Sequence, residues 1–232
     1  MITSLTNKRV KELVALKTSK GRKLSGQFIV EGRHLVLEAK KLNLAFEIYT
    51  TDERLEGELV SAEVMKKICS TDSIVNQIAV CNKLEKKDIT DKILILDGVQ
   101  DPGNLGALMR SAKAFNFDTI FLGLGTVDPY NDKVIRSSQG AIFKLNILDG
   151  NVVDFIKSLE GYSIYSTNVE NGISVDDVEK SAKVALILGN EGNGVSDEVN
   201  SLGLRNLYIK MSNMESLNVS VAGSILMYEL NK

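Results

Sequence analysis

Two uninterrupted apolar runs, Ile93-Leu94-Ile95-Leu96 and Val184-Ala185-Leu186-Ile187-Leu188, break the mixed pattern of the chain. A strand apolar at every position must be covered on both faces, so these runs predict a parallel sheet flanked by helices. Periodicity places further elements around them. Ahead of them, strands are predicted at Gln27–Val30, Leu44–Thr50 and Gln77–Cys81, with helices at Gly32–Lys40 and Ala62–Ser70. Beyond them, strands and helices alternate: Ile93–Asp97, Leu105–Phe115, Thr119–Gly123, Asp132–Gln139, Ile142–Leu148, Val152–Leu159, Ser163–Thr167 and Val184–Gly189. A short helix near Ser196–Leu202, a strand at Leu207–Met211 and a helix at Leu217–Leu230 complete the series. Residues 82–92 are charged and poor in core residues, so two domains are expected, 1–88 and 92–232.

Ligands of parallel sheets bind beyond the carboxyl ends of strands, which directs attention to three loops. After Leu96 comes Asp97-Gly98-Val99-Gln100-Asp101-Pro102-Gly103-Asn104, and Asn104 is the expected helix cap, with Arg110 expected to return toward the same anion-binding end. After Leu188 comes Gly189-Asn190-Glu191-Gly192-Asn193-Gly194, where glycines permit close backbone approach. After Ile209 comes a polar stretch through Ser216 and Asn218 into a helix with the small residues Ala222, Gly223 and Ser224. Read alone, Ser216 is as well explained as a helix cap, Arg110 as a surface residue and Glu191 as a turn acid. Neither a GxGxxG fingerprint nor a GK[ST] phosphate loop occurs, which weakens NAD and ATP readings.

Composition narrows the picture. The 232 residues are 44% hydrophobic and 25% charged, enough for a core without disulfides. Two cysteines, Cys69 and Cys81, and one histidine, His34, leave almost no ligands for a metal and suggest a reducing, cytoplasmic setting. No apolar run reaches membrane-spanning length. The formal net charge of -2 hides an uneven distribution: residues 1–23 hold seven cations, Lys8, Arg9, Lys11, Lys17, Lys20, Arg22 and Lys23, against the single acid Glu12. That segment is either a phosphate-contacting arm or an amphipathic helix burying Leu5, Val10, Leu13, Val14 and Leu16. His34 and Tyr130 read as ordinary structural residues.

Taken together, Asp101-Pro102-Gly103-Asn104-Leu105-Gly106-Ala107-Leu108-Met109-Arg110, Leu188-Gly189-Asn190-Glu191-Gly192-Asn193-Gly194-Val195-Ser196 and Met214-Glu215-Ser216-Leu217-Asn218-Val219-Ser220-Val221-Ala222 resemble the three signature motifs of the SpoU (TrmH-type) branch of the SPOUT superfamily. These are RNA ribose 2'-O-methyltransferases. Phe28-Ile29-Val30-Glu31-Gly32 followed by Val36–Ala39 resembles the L30e-like substrate-binding domain of many members. The resemblance implies an α/β-knot catalytic domain with a carboxyl-terminal trefoil knot, S-adenosylmethionine as cofactor, no metal, and a homodimer with composite sites. It implies catalytic roles for Arg110, Asn104, Glu191, Ser216 and Asn218. Cofactor contacts map to Leu188, Gly189, Asn190, Ile209, Met211, Ser216, Leu217 and Val219. RNA contacts map to Arg110 and, on the basic segment, to Lys8, Arg9, Lys11, Lys17 and Arg22. Lys210 stands where the family usually has proline, and the stretch from Ile209 to Leu217 is one residue short, which affects the cofactor contacts of that loop.

The family's proposal of an arginine general base is costly. Arginine titrates near 12.5, so a neutral guanidine at pH 7 costs about 7 kcal/mol. The alternative has Arg110 bind the substrate phosphate and stabilise the developing alkoxide. Ribosomal RNA is the expected substrate, with transfer RNA and a non-catalytic RNA-binding or assembly role as alternatives.

Overall fold

A computed structural model describes residues 1–71, 73, 75–168 and 172–232, and its chain contacts divide into two compact units. The first comprises Met1–Leu84 together with Asp128–Phe143; the second comprises Glu85–Val127 and Lys144–Lys232.

The first unit begins with helices α1 (Lys8–Ala15) and α2 (Ser19–Ser25) and strand β1 (Gln27–Glu31). Next come α3 (Arg33–Lys41), β2 (Ala45–Thr50), β3 (Glu58–Leu59), α4 (Ala62–Ile68) and β4 (Gln77–Asn82). The strands lie in the order β1-β4-β2-β3, antiparallel except for the β2–β3 pair. Val10, Leu13 and Leu16 pack with Val64, Ile68, Tyr49, Ile78 and Val80, so the amphipathic expectation describes most of residues 1–23, although Leu5 stays exposed. Each fully buried Val or Leu of this kind stabilises by about 1.5–3 kcal/mol. Thr18 caps α2 and divides the segment into two helices instead of one.

The second unit continues with β5 (Lys92–Asp97), α5 (Pro102–Ala114) and β6 (Thr119–Gly123). The chain then leaves it to contribute α6 (Asp132–Ser138) and a short three-ten turn (Ala141–Lys144) before returning. It ends with β7 (Asn146–Gly150), α7 (Val152–Ser158), β8 (Ser163–Thr167), β9 (Ile173–Ser174), β10 (Val184–Gly189), α8 (Asp197–Asn200), β11 (Arg205–Tyr208) and α9 (Val219–Asn231). Its seven strands run β7-β6-β5-β10-β8-β11-β9, and every neighbouring pair is parallel. This is the covered parallel sheet that the two apolar runs require: β5 and β10 lie side by side at its centre. On one face Ile93, Ile95, Phe121 and Ile187 meet Val152, Ile156 and Val199, with Phe121 and Phe155 stacked at 3.9 Å. On the other, Gly223 of α9 sits between Leu108 of α5 and Leu188 of β10, where an added Cβ would come within 2.5 Å of both side chains.

Two elements depart from the expected ones. Ile142–Leu148 is not one strand, because Ile142 and Phe143 belong to the three-ten turn and β7 starts at Asn146. The strand expected at Leu207–Met211 is β11, Arg205–Tyr208.

The segment Asp128–Phe143 is held in the first unit by buried polar and aromatic contacts. Arg22, 4% exposed, gives Nε and Nη2 to Asp128 Oδ2 at 2.9 and 2.7 Å and Nη1 to the carbonyls of Leu16 and Lys17. Glu31 accepts from the Ser70 and Thr71 backbone and lies 3.6 Å from Arg136. Tyr130 and Phe143 flank Phe28, and the Tyr130 hydroxyl accepts from the Leu84 backbone.

Candidate active site

β5 leads through α5 to β6 and β7 on one side, whereas β10 and its neighbours extend the sheet on the other. The β5–β10 boundary is therefore the topological switch point, where a crevice opens beyond the strand ends. Gly189, last in β10, pairs with Asp97, last in β5, so the loops that follow them start side by side.

Side chains fasten these two loops together. Asn190 donates Nδ2 to the Gly98 carbonyl at 2.9 Å, while its Oδ1 accepts from the backbone of Gly192 and Asn193 and so curls its own loop. Asp97 accepts from Ser196 N at 2.8 Å. Glu191 accepts from Gln100 N at 3.1 Å, Asp101 N at 2.9 Å and Asn104 Nδ2 at 3.1 Å. Partial burial pushes the Glu191 carboxyl up, but the hydrogen bonds from Gln100, Asn104 and Asp101 outweigh it and leave it below its ordinary value. The turn is tight enough to require glycine: a Cβ on Gly189 would lie 2.0 Å from the Gly194 carbonyl carbon.

The cap of α5 differs from the expected one. Asp101 accepts from Asn104 N at 2.9 Å and Pro102 occupies the first turn, so Asp101 is the cap and the Asn104 side chain is released for other work. Asn104 gives its nitrogen to Glu191 and its oxygen accepts from Asn218 Nδ2 at 3.0 Å. Asn218 in turn caps α9, accepting from Ser220 N at 2.9 Å, so α9 starts later than expected and Ser216 is not a cap. Ser111 and Ser224 join α5 to α9 through their hydroxyls at 2.7 Å.

A cleft of about 450 Å³ lies over these turns, and all eight residues assigned to the cofactor line it: Leu188, Gly189, Asn190, Ile209, Met211, Ser216, Leu217 and Val219. Glu191 lines it as well. Thr167 and Asn168, at the tip of β8, also line it and were missed; the order β10-β8 makes that tip a neighbour, which sequence spacing does not reveal. Arg110 stands apart. Six residues turn it about 240° around α5 from Asn104, and it is exposed, without a hydrogen bond or ion pair among the described residues. The anticipated convergence of Asn104 and Arg110 is thus not made within one copy.

The basic segment is less free than its charge suggests. Arg22 is buried on Asp128, which removes it from the RNA-contacting set. Arg9 is engaged with Glu12 and Glu47, and Lys17 Nζ donates to the Cys69 carbonyl at 2.6 Å. Lys8 and Lys11 are exposed. Among the described residues no group of three or more His, Cys, Asp or Glu could hold a metal ion, and no helix is long and apolar enough to cross a membrane.

Comparison with known proteins adds independent observations. The SpoU rRNA Methylase family matches residues 91–228, and the MRM3-like substrate binding domain matches residues 7–94. The Bacillus subtilis protein named 23S rRNA (guanosine(2553)-2'-O)-methyltransferase RlmP is 37% identical, over 99% of this chain and 98% of its own length. The crystal structure of an AdoMet-bound rRNA methyltransferase from Sinorhizobium meliloti superposes with a TM-score of 0.85 at 27% identity, covering 99% of this chain and 96% of that one. The AdoMet complex of the SpoU methyltransferase AviRb from Streptomyces viridochromogenes shares the fold with a TM-score of 0.85 at 21% identity, covering 97% of each chain.

Proposed function

The chain belongs to the SpoU rRNA Methylase family, and on that premise we propose that it transfers a methyl group from S-adenosylmethionine to the 2'-hydroxyl of a guanosine ribose in 23S ribosomal RNA. One observation carries the reading: the glycine-lined cleft at the β5–β10 switch point collects every residue the family motifs assign to the cofactor.

The cleft fits that group. Its volume of about 450 Å³ is within the usual range for small-molecule sites, its walls mix apolar Leu188, Ile209 and Val219 with polar Asn190 and Ser216, and Gly189 leaves backbone where a side chain would intrude. When bound, S-adenosylmethionine supplies an electrophilic methyl on its sulfonium. The protein's share is alignment and charge. Holding nucleophile and methyl in line can contribute about 7–11 kcal/mol. Leu188, Ile209, Met211, Leu217 and Val219 exclude water, and Asn190 and Glu191 hold the second loop against the first. Asn104 and Asn218 lock the start of α5 to the start of α9, and Ser216 orients the ribose at the cleft rim.

Arg110 binds the phosphate beside the reacting ribose and stabilises the oxygen as its proton passes to solvent water. Because Arg110 does not line the cleft of its own copy, the reading includes a homodimer in which one copy's Arg110 serves its partner's cleft. The exposed apolar Val221 and Tyr228 of α9 support such a contact. The carboxyl-terminal knot and a cytoplasmic setting belong to the same reading, as does a division of labour in which residues 1–88 bind RNA and 92–232 catalyse. Transfer of tritium from labelled S-adenosylmethionine into a 23S ribosomal RNA transcript, with 2'-O-methyl mapping, tests the activity; no incorporation by protein that binds the cofactor overturns it. For Arg110, a pH-rate profile on Arg110→Lys is decisive: substantial rate with an unshifted profile supports the electrostatic role over the base role.

A further inference from the structure

We infer that the surface formed by α1 and α4 carries the RNA backbone, with Lys8, Lys11 and Lys66 as its phosphate contacts. The inference rests on the reading of the chain as an RNA methyltransferase and goes beyond the amino-terminal basic segment, because Lys66 lies more than 40 positions from it.

Lys67 brings the two helices together. Its Nζ donates to the Leu5 carbonyl at 3.1 Å, ahead of α1, and its own carbonyl accepts from Lys17 Nζ at 3.2 Å, behind α1. The last turn of α4 therefore lies alongside the whole of α1. Beneath them Val10 and Leu13 share a core with Val64 and Ile68, so both helices turn their remaining faces outward. Lys8, Lys11 and Lys66 are exposed on those faces. None has a carboxylate within ion-pair distance among the described residues.

The two lysines of α3 behave differently, whereas Lys20 and Lys23 of α2 are exposed. On α3, Lys40 pairs with Glu56 and Lys41 with Glu38, so those two charges are compensated. Ammonium groups spread along two adjacent helices, instead of converging on one point, suit a polymer with evenly repeated negative charge.

The test compares two double variants, Lys11→Gln with Lys66→Gln and Lys40→Gln with Lys41→Gln, each removing two charges at helix positions that accept glutamine. Binding to a 23S ribosomal RNA transcript is followed against salt concentration, and calorimetry with S-adenosylmethionine checks that the fold is kept. Losing two phosphate contacts should lower the slope of log affinity on log salt by about 1.5 in the first variant, with the second unchanged. Equal slopes for wild type and the first variant, or an equal fall in both variants, overturns the assignment. If the slope changes as expected while no RNA becomes methylated, the functional reading falls and the surface stands.

Discussion

Asn218 donates its side-chain amide to the side-chain oxygen of Asn104 at 3.0 Å, joining the start of α9 to the start of α5 across 114 residues. Asn104 passes the connection to Glu191, which holds the backbone of Gln100 and Asp101. One polar chain thus ties together all three loops that the sequence singled out.

Asn218→Asp isolates that link. Aspartate still accepts from Ser220 and caps α9, but it opposes its oxygen to that of Asn104. Loss of the hydrogen bond should weaken cofactor binding by about 0.5–1.5 kcal/mol, up to roughly tenfold, with little change in melting temperature. Asn218→Ala loses the cap as well and should also destabilise by about 1 kcal/mol. Calorimetry and thermal unfolding measure both; equal melting losses in the two variants would contradict the division of roles.

Glu191 makes the site pH-dependent. Its carboxyl is held below the ordinary value, so the ionised form favours the assembled loops. That contribution is complete above the ordinary carboxylate range and disappears as pH falls through the depressed value. Cofactor affinity should therefore fall at acid pH in the wild type. In Glu191→Gln it should be lower at neutral pH and flatter with acid, which a calorimetric pH series will read.

The two close-packed glycines should respond differently. Gly223→Ala pushes against movable Leu108 and Leu188 side chains and should cost about 1–3 kcal/mol of stability. Gly189→Ala drives a methyl group into the Gly194 backbone, which has no equivalent give. It should abolish cofactor binding, and retained affinity would show that the turn can rearrange.

Arg22→Met leaves Asp128 without its buried partner and should destabilise the first unit by about 3 kcal/mol or more, measured by chemical denaturation. A fragment of residues 1–88 omits Asp128, Tyr130, Arg136 and Phe143 altogether. It should show neither a cooperative melt nor dispersed amide resonances.

Burial pushes the Cys69 and Cys81 thiols up to about 12, with the negative charge of Glu31 adding to the effect at Cys69. Neither should react with iodoacetamide in native protein at pH 8, and both should react after unfolding. Mass spectrometry of the labelled chain distinguishes the outcomes.

What the sequence made legible was mostly what local patterns determine. Ile93–Leu96 and Val184–Leu188 announced a covered sheet because burial on both faces leaves no polar position. The chemistry of the three loops was readable only from their joint resemblance to the SpoU motifs, since glycine and amide residues at strand ends serve equally in plain turns and caps. Partnership across the chain was hidden. Arg22 counted as a free cation until Asp128, 106 positions away, was placed against it. Asn104 resembled a cap because asparagine is a favoured capping residue, but Asp101, three residues earlier, offers an equally good oxygen and Pro102 favours the earlier start. Ile142 and Phe143 read as strand because an apolar run alone does not separate a strand from a buried turn.

The return of Asp128–Phe143 to the first unit also sets a schedule for biosynthesis. Domains generally mature in the order in which they leave the ribosome, but here the amino-terminal half must wait, its Arg22 and Phe28 lacking their counterparts until some sixty further residues have been made. By the time Phe143 emerges, β5 and β6 are already outside the exit tunnel, so the nascent chain must keep two unfinished cores apart at once.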